Sequence, residues 1–144
     1  EAGDPTRTSM WLVRADGHGL SLGRPGLTAA LRATSRQGDV AAAEDMLLRI
    51  SELAGSEPSL VDFNAVLRAC AVAGHVRAAT SWLSQTRIAR LAPDLNCYGH
   101  ILEACAQGEA PWQAETWLMR MVRDAGSPSP VEYSSVLRAW AKRG

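Results

Sequence analysis

A periodicity of about 35 residues runs along this chain and constrains its fold more than any other feature. The tripeptides Leu31-Arg32-Ala33, Leu67-Arg68-Ala69, Leu102-Glu103-Ala104 and Leu137-Arg138-Ala139 follow one another at spacings of 36, 35 and 35 residues. A second set trails the first three at a constant offset: Ala43-Glu44-Asp45-Met46-Leu47, Ala79-Thr80-Ser81-Trp82-Leu83 and Ala114-Glu115-Thr116-Trp117-Leu118. Gly38, Gly74 and Gly108 lie between the two sets, and Pro58, Pro93 and Pro128 follow the second. Internal repeats of this length mark solenoids, in which each unit buries its apolar face only against its neighbours.

Each unit reads as two amphipathic helices. Phe63, Val66, Leu67 and Cys70 recur at helical spacing on one face, as a half-buried helix requires. Gly74 then ends that helix, and Val76, Ala79, Leu83 and Ile88 form the apolar side of a second one. The recurring Ala43, Ala79 and Ala114 suit positions where two helices approach closely. The chain is therefore expected to be all-α, an α-solenoid of antiparallel helix pairs with complete repeats at residues 24–59, 60–94 and 95–129. The first 23 residues are in register too. Gly3-Asp4-Pro5 and Trp11-Leu12 echo the later turns and Trp-Leu pairs, and Trp11 precedes Arg24 by the 13 residues that separate Trp82 from Leu95. Residues 1–23 thus read as the second half of a preceding repeat, and 130–144 as the first helix of a further one. Val136, Leu137 and Trp140 on that last helix lack a following partner. We expect a window on a longer array, or else an end covered by another protein.

Composition narrows the function. Fifteen Lys+Arg balance fifteen Asp+Glu, a formal net charge of zero, which argues against strong sequence-independent nucleic-acid binding. Hydrophobic residues reach 47% but aromatics only 6%, a mix that suits helices packed through small side chains. No apolar run is long enough for a membrane span. The three cysteines (Cys70, Cys97 and Cys105) form no disulfide framework and suit a reducing interior. His18, His75 and His100 are scattered, without CxxC or HExxH spacing; Cys97 and His100 share a helix face but make only two ligands. No G-x-S-x-G elbow, Cys–His–Asn arrangement or phosphate-binding glycine loop is present. We expect no enzyme activity, no cofactor and no small-molecule substrate.

The repeat resembles the pentatricopeptide repeat family. Leu60-Val61-Asp62-Phe63-Asn64 is similar to that family's hydrophobic–x–Thr–Tyr–Asn opening, Gly74 to its turn glycine, Ala79 to its helix-contact alanine and Pro93-Asp94 to its close. Residues 95–129 keep the length, Tyr98, Ala114 and Pro128, but carry Gly99 in place of the opening Asn; residues 24–59 are one residue longer, with Leu27 for the aromatic. The resemblance implies a right-handed superhelix and recognition of single-stranded RNA, one base per repeat. Carried over residue by residue, it implies base contacts from Asn64 and Asp94, a pairing the family uses for uracil, with Val61 packing on the base and Thr28 as a weaker candidate in its own repeat. It also implies a plastid or mitochondrial location.

Two functions from different classes follow. One is a protein scaffold subunit within a larger assembly, docking through Trp112, Val136, Leu137 and Trp140. The neutral charge, the few repeats and the degenerate reading positions favour it. The other is a single-stranded RNA-binding module. The first helices bear Arg32, Arg36, Asp62, Arg68, Glu103, Glu132, Arg138, Lys142 and Arg143, a sum of about +3, so RNA binding through them is expected to be weak and moderately salt-sensitive.

Overall fold

In the computed structural model, which describes residues 5–20, 22–53 and 55–144, the chain is all-α, with no strand among the described residues. Eight helices follow in order: α1 (Pro5–Gly17), α2 (Arg24–Gln37), α3 (Val40–Glu52), α4 (Leu60–Ala73), α5 (Val76–Ile88), α6 (Leu95–Gln107), α7 (Pro111–Asp124) and α8 (Pro130–Arg143). Gly3 and Asp4, read above as a turn, lie outside the described residues.

Local chemistry sets the starts of these helices. Asp39 and Asp94 cap α3 and α6 by accepting the backbone N–H groups of Ala42 and Cys97, each at 3.0 Å, which satisfies donors a helix start leaves unpaired. At α4 and α8 the third residue reaches back: Ser59 N–H donates to Asp62 at 2.8 Å and Ser129 N–H to Glu132 at 2.7 Å. Asp62 and Glu132, counted above among the charges of the binding face, are thus helix caps.

Two layers result. The first helices α2, α4, α6 and α8 pack side by side in succession, each also against its neighbouring second helices. The second helices α3, α5 and α7 make far less backbone approach to one another. A closely packed layer beside a splayed one curves toward the close side, so α2, α4, α6 and α8 form the inner face. Small residues permit that approach: Ala69, Ala104 and Ala139 from the first helices and Ala43, Ala79 and Ala114 from the second are fully buried.

Longer side chains fill the wider outer gaps. Trp82 packs on Phe63 and donates its indole N–H to Glu44 across from α5 to α3, at 2.6 Å. Trp117 packs likewise on Tyr98. The Tyr98 ring is fully buried; its hydroxyl donates to Asp124 and accepts from Arg87, tying α5, α6 and α7 together. Ile88, expected inside, is instead 71% exposed. Counting from the buried Leu83, the next inward place belongs to Thr86, and Ile88 falls on the opposite side of the turn.

The turns also differ from the simple pattern of one glycine each. Gly38 and Gly74 adopt the left-handed conformation at φ 72° and 71°. Gly108 does not, at φ −86°; Glu109 takes the left-handed place at φ 55°. Gly108 is needed for another reason, since a Cβ there would lie 2.6 Å from the Gly74 carbonyl oxygen. Successive turns stack through backbone.

Candidate nucleic-acid interface

The inner face carries a groove of about 330 Å³ where α2, α4 and α6 meet. Arg32 and Arg36 stand one turn apart on α2. Val61, Asn64 and Arg68 share one face of α4, and His100 closes the groove from α6. Arg32, Arg36 and Arg68 are exposed, and no described carboxylate forms an ion pair with any of them. Five other arginines, Arg24, Arg49, Arg87, Arg123 and Arg138, do form ion pairs. Arg24, for example, binds Asp62 at 2.6 Å, and Asp62 is only 3% exposed. A neutral chain thus concentrates three uncompensated guanidinium groups in one place. Burial, with Arg68 adding to it, pushes the His100 imidazole below its ordinary pKa, so it brings a neutral ring to this site.

Asn64 stands at the middle of the groove. Its amide nitrogen donates to Asp94 Oδ1 at 3.4 Å, and the same oxygen accepts the Cys97 N–H that begins α6. Asp94 therefore orients the asparagine while capping a helix. That arrangement turns Asn64 Oδ1 away from Asp94, and this oxygen is buried without a hydrogen-bond partner. A buried acceptor left unpaired costs roughly 1–3 kcal/mol, which favours a turn of the amide toward a partner in the groove. Burial acts to raise the Asp94 pKa, but the bonds from Cys97 and Asn64 outweigh it and hold the carboxyl below its ordinary 3.8. A depressed carboxylate contributes stability that is complete above its unfolded pKa and lost as pH falls through the folded one. We expect stability to fall more steeply below pH 3.8 in the wild type than in Asp94→Asn, which keeps a capping side chain without the charge. Chemical denaturation across an acid series checks this.

The next groove along, between α6 and α8, has another character. Gly99 stands where α4 carries Asn64, and the surrounding space of about 270 Å³ is lined by Glu103 and Glu132 as well as Asn96 and His100. Glu103 binds Arg138 of α8, so the position that Arg32 and Arg68 occupy is neutralised here.

The remaining residues singled out from the sequence separate by where the fold places them. Val61 is 68% exposed at the groove's rim. Thr28 is half-buried on α2, and Ser59, the residue closing its repeat, is engaged with Asp62 instead. Trp112 is 62% exposed and meets Trp140 edge-on with ring centroids 4.5 Å apart. Trp140 donates its indole N–H to Glu115. Leu137 is exposed, but Val136 is buried in the core and does not belong to an outward-facing patch. Helical spacing explains the split, since neighbouring residues face about 100° apart. Cys97 is fully buried with its thiol pushed up to about 12, chiefly by burial, while His100 faces the groove. Spacing along the chain did not reveal His100 as a groove residue, nor did it separate free arginines from paired ones. The repeat register held a signal for the latter, because Arg32, Arg68, Glu103 and Arg138 occupy one equivalent position.

No described helix is long and apolar enough to cross a membrane. The chain matches no curated protein. Residues 82–143 match the family profile described as pentatricopeptide repeat domain. Among solved structures, the chain is similar to the pentatricopeptide repeat protein PPR10 from maize, with TM-score 0.76 and 18% identity over 96% of this chain. It is also similar to PPR10 in complex with an 18-nt psaJ RNA element, with TM-score 0.65 and 21% identity over 99% of this chain. A PPR10 variant with three cysteine-to-serine changes, bound to the same kind of element, gives the same TM-score of 0.65. The chain spans only 20% and 26% of the length of those structures. The stacked helix pairs and the repeated register share the helical-repeat fold of those structures, and residues 82–143 carry the match to the pentatricopeptide repeat profile.

Proposed function

We propose that this chain is a non-catalytic repeat module that holds single-stranded RNA in the groove of α2, α4 and α6, where one base, uracil, is read at Asn64. The observation that carries this is the placement of Asn64 in one groove with three unpaired arginines. Arginines without carboxylate partners suit phosphates, which hold an RNA segment without reading its sequence. Turned toward the groove, the Asn64 amide oxygen suits a base-edge N–H such as N3–H of uracil, and the exposed Val61 side chain offers an apolar surface to the base face. Structures of similar fold in complex with an RNA element support the same reading. The likeness of residues 82–143 to the pentatricopeptide repeat profile supports a plastid or mitochondrion as its place of work, with organellar RNA processing or translation as the setting.

Fluorescence anisotropy with labelled oligouridylate and oligoadenylate tests the base contact. The wild type is expected to prefer uridylate, and Asn64→Ala to reduce that preference roughly tenfold, as loss of one base contact worth about 1–3 kcal/mol implies. Absence of any preference in the wild type would remove the base-reading role.

A second reading, docking to a protein subunit, is favoured by one observation. Trp112, Leu137 and Met119 are exposed at the α7–α8 end, with the Trp112–Trp140 pair beside them. Exposed aromatic clusters of this kind anchor protein interfaces. This face lies outside the α2–α4–α6 groove, so the two uses do not compete.

A further inference from the structure

The first helices present one register position four times, as Arg32, Arg68, Glu103 and Arg138. The charge reverses only at Glu103. That carboxylate does more than add a negative charge. It binds the Arg138 guanidinium and accepts from Gln107 Nε2 at 3.1 Å, while Gln107 Oε1 accepts from Lys142 at 3.0 Å. Two cations of α8 are therefore held in a network that Glu103 anchors. Glu132, fixed as the α8 cap, adds a second carboxylate to the same groove. On one side of His100 a phosphate meets three unpaired arginines. On the other it meets two carboxylates and no free cation from the equivalent position.

We propose that Glu103 is a specificity-determining residue that sets the length of RNA this chain engages, by removing Arg138 from the phosphate track. This rests on the RNA reading above. The backbone positions continue in register through α8, so the track ends through charge and not through a change of fold. Neutralising Glu103 removes a repulsive charge and releases Arg138 into the place that Arg32 and Arg68 hold on their own helices. The Glu103–Arg138 pair is partly solvent-exposed, at 31% and 45%, and such pairs contribute little to stability. Glu103→Gln is therefore expected to fold, with circular dichroism as the control.

The test compares a short oligouridylate of about three nucleotides with a longer one of about six, at one base per repeat, in wild type, Glu103→Gln and Glu103→Gln/Arg138→Ala. Glu103→Gln is expected to bind the longer oligomer about tenfold tighter, with a salt slope steeper by about 0.7, the value for one added phosphate contact on a single strand. The short oligomer is expected to bind unchanged, and the double variant to lose the gain. If Glu103→Gln gains equally at both lengths or at neither, or if the double variant keeps the gain, the role of Glu103 is overturned while the RNA reading stands. If the wild type binds neither oligomer, the RNA reading falls and this inference falls with it.

Discussion

Gly74→Ala lowers the unfolding free energy by about 2–3 kcal/mol, the sum of two separable causes. The first is conformational. Gly74 sits at φ 71°, where a side chain costs roughly 1–2 kcal/mol. The second is contact across the stacked turns. A Cβ at Gly74 would lie 3.1 Å from the Gln107 carbonyl carbon, the Gln107 Cβ and the Gly108 nitrogen, and backbone cannot step aside as a flexible side chain can. Gly55→Ala isolates the first cause, since Gly55 has φ 72° and nothing within 4 Å of its added Cβ. We expect Gly55→Ala to cost about 1 kcal/mol and Gly74→Ala clearly more, as read from urea denaturation midpoints. Equal losses would mean that the turns do not stack as described. Because each repeat is stabilised by its neighbours, the loss at Gly74 weakens coupling between α4–α5 and α6–α7.

The largest effect on binding is expected from Arg32→Ala combined with Arg68→Ala. Both side chains are exposed and without ion pairs, so removing them leaves no buried charge behind and should leave the denaturation midpoint unchanged. Each lost phosphate contact lowers the magnitude of the salt slope by about 0.7 on single-stranded RNA, so the double variant should lose about 1.4. Affinity should fall by at least about tenfold, which corresponds to roughly 1.4 kcal/mol. Arg24→Ala provides the contrast. It strips a partner from Asp62, which is 3% exposed, and an ion-pair partner removed from a buried charge costs stability. That substitution should unfold the chain more easily without a comparable change in salt slope. Two arginines on the same inner helix, Arg24 and Arg32, thus divide into one that holds the fold and one that is free for a ligand.

The helical pairs were legible in the sequence because a 35-residue period repeats both the apolar spacing and the turn residues, so each unit corroborates the next. Side-chain partnerships were less legible. Asp62 and Glu132 read as surface charges, yet each sits three residues into a helix that begins with serine, which is the capping pattern. Summing charges over the first helices to about +3 hid the fact that three unpaired arginines, Arg32, Arg36 and Arg68, line one groove with Asn64 while Arg138 is bound by Glu103. Gly108 was placed at the turn, but the left-handed residue is Glu109, because a period of 35 from Gly74 falls there. Pairing depends on distances between helices, which spacing along one chain does not report.

The most direct test of a groove that holds RNA is an amide ¹H–¹⁵N correlation spectrum of this chain titrated with a short oligouridylate. We predict the largest shifts on the inner faces of α2, α4 and α6, at Arg32, Asn64, Arg68 and His100, with the Asn64 side-chain amide among them and α5 unmoved. Shifts confined to α7 and α8 around Trp112 and Trp140, or no shifts at all, would contradict the account.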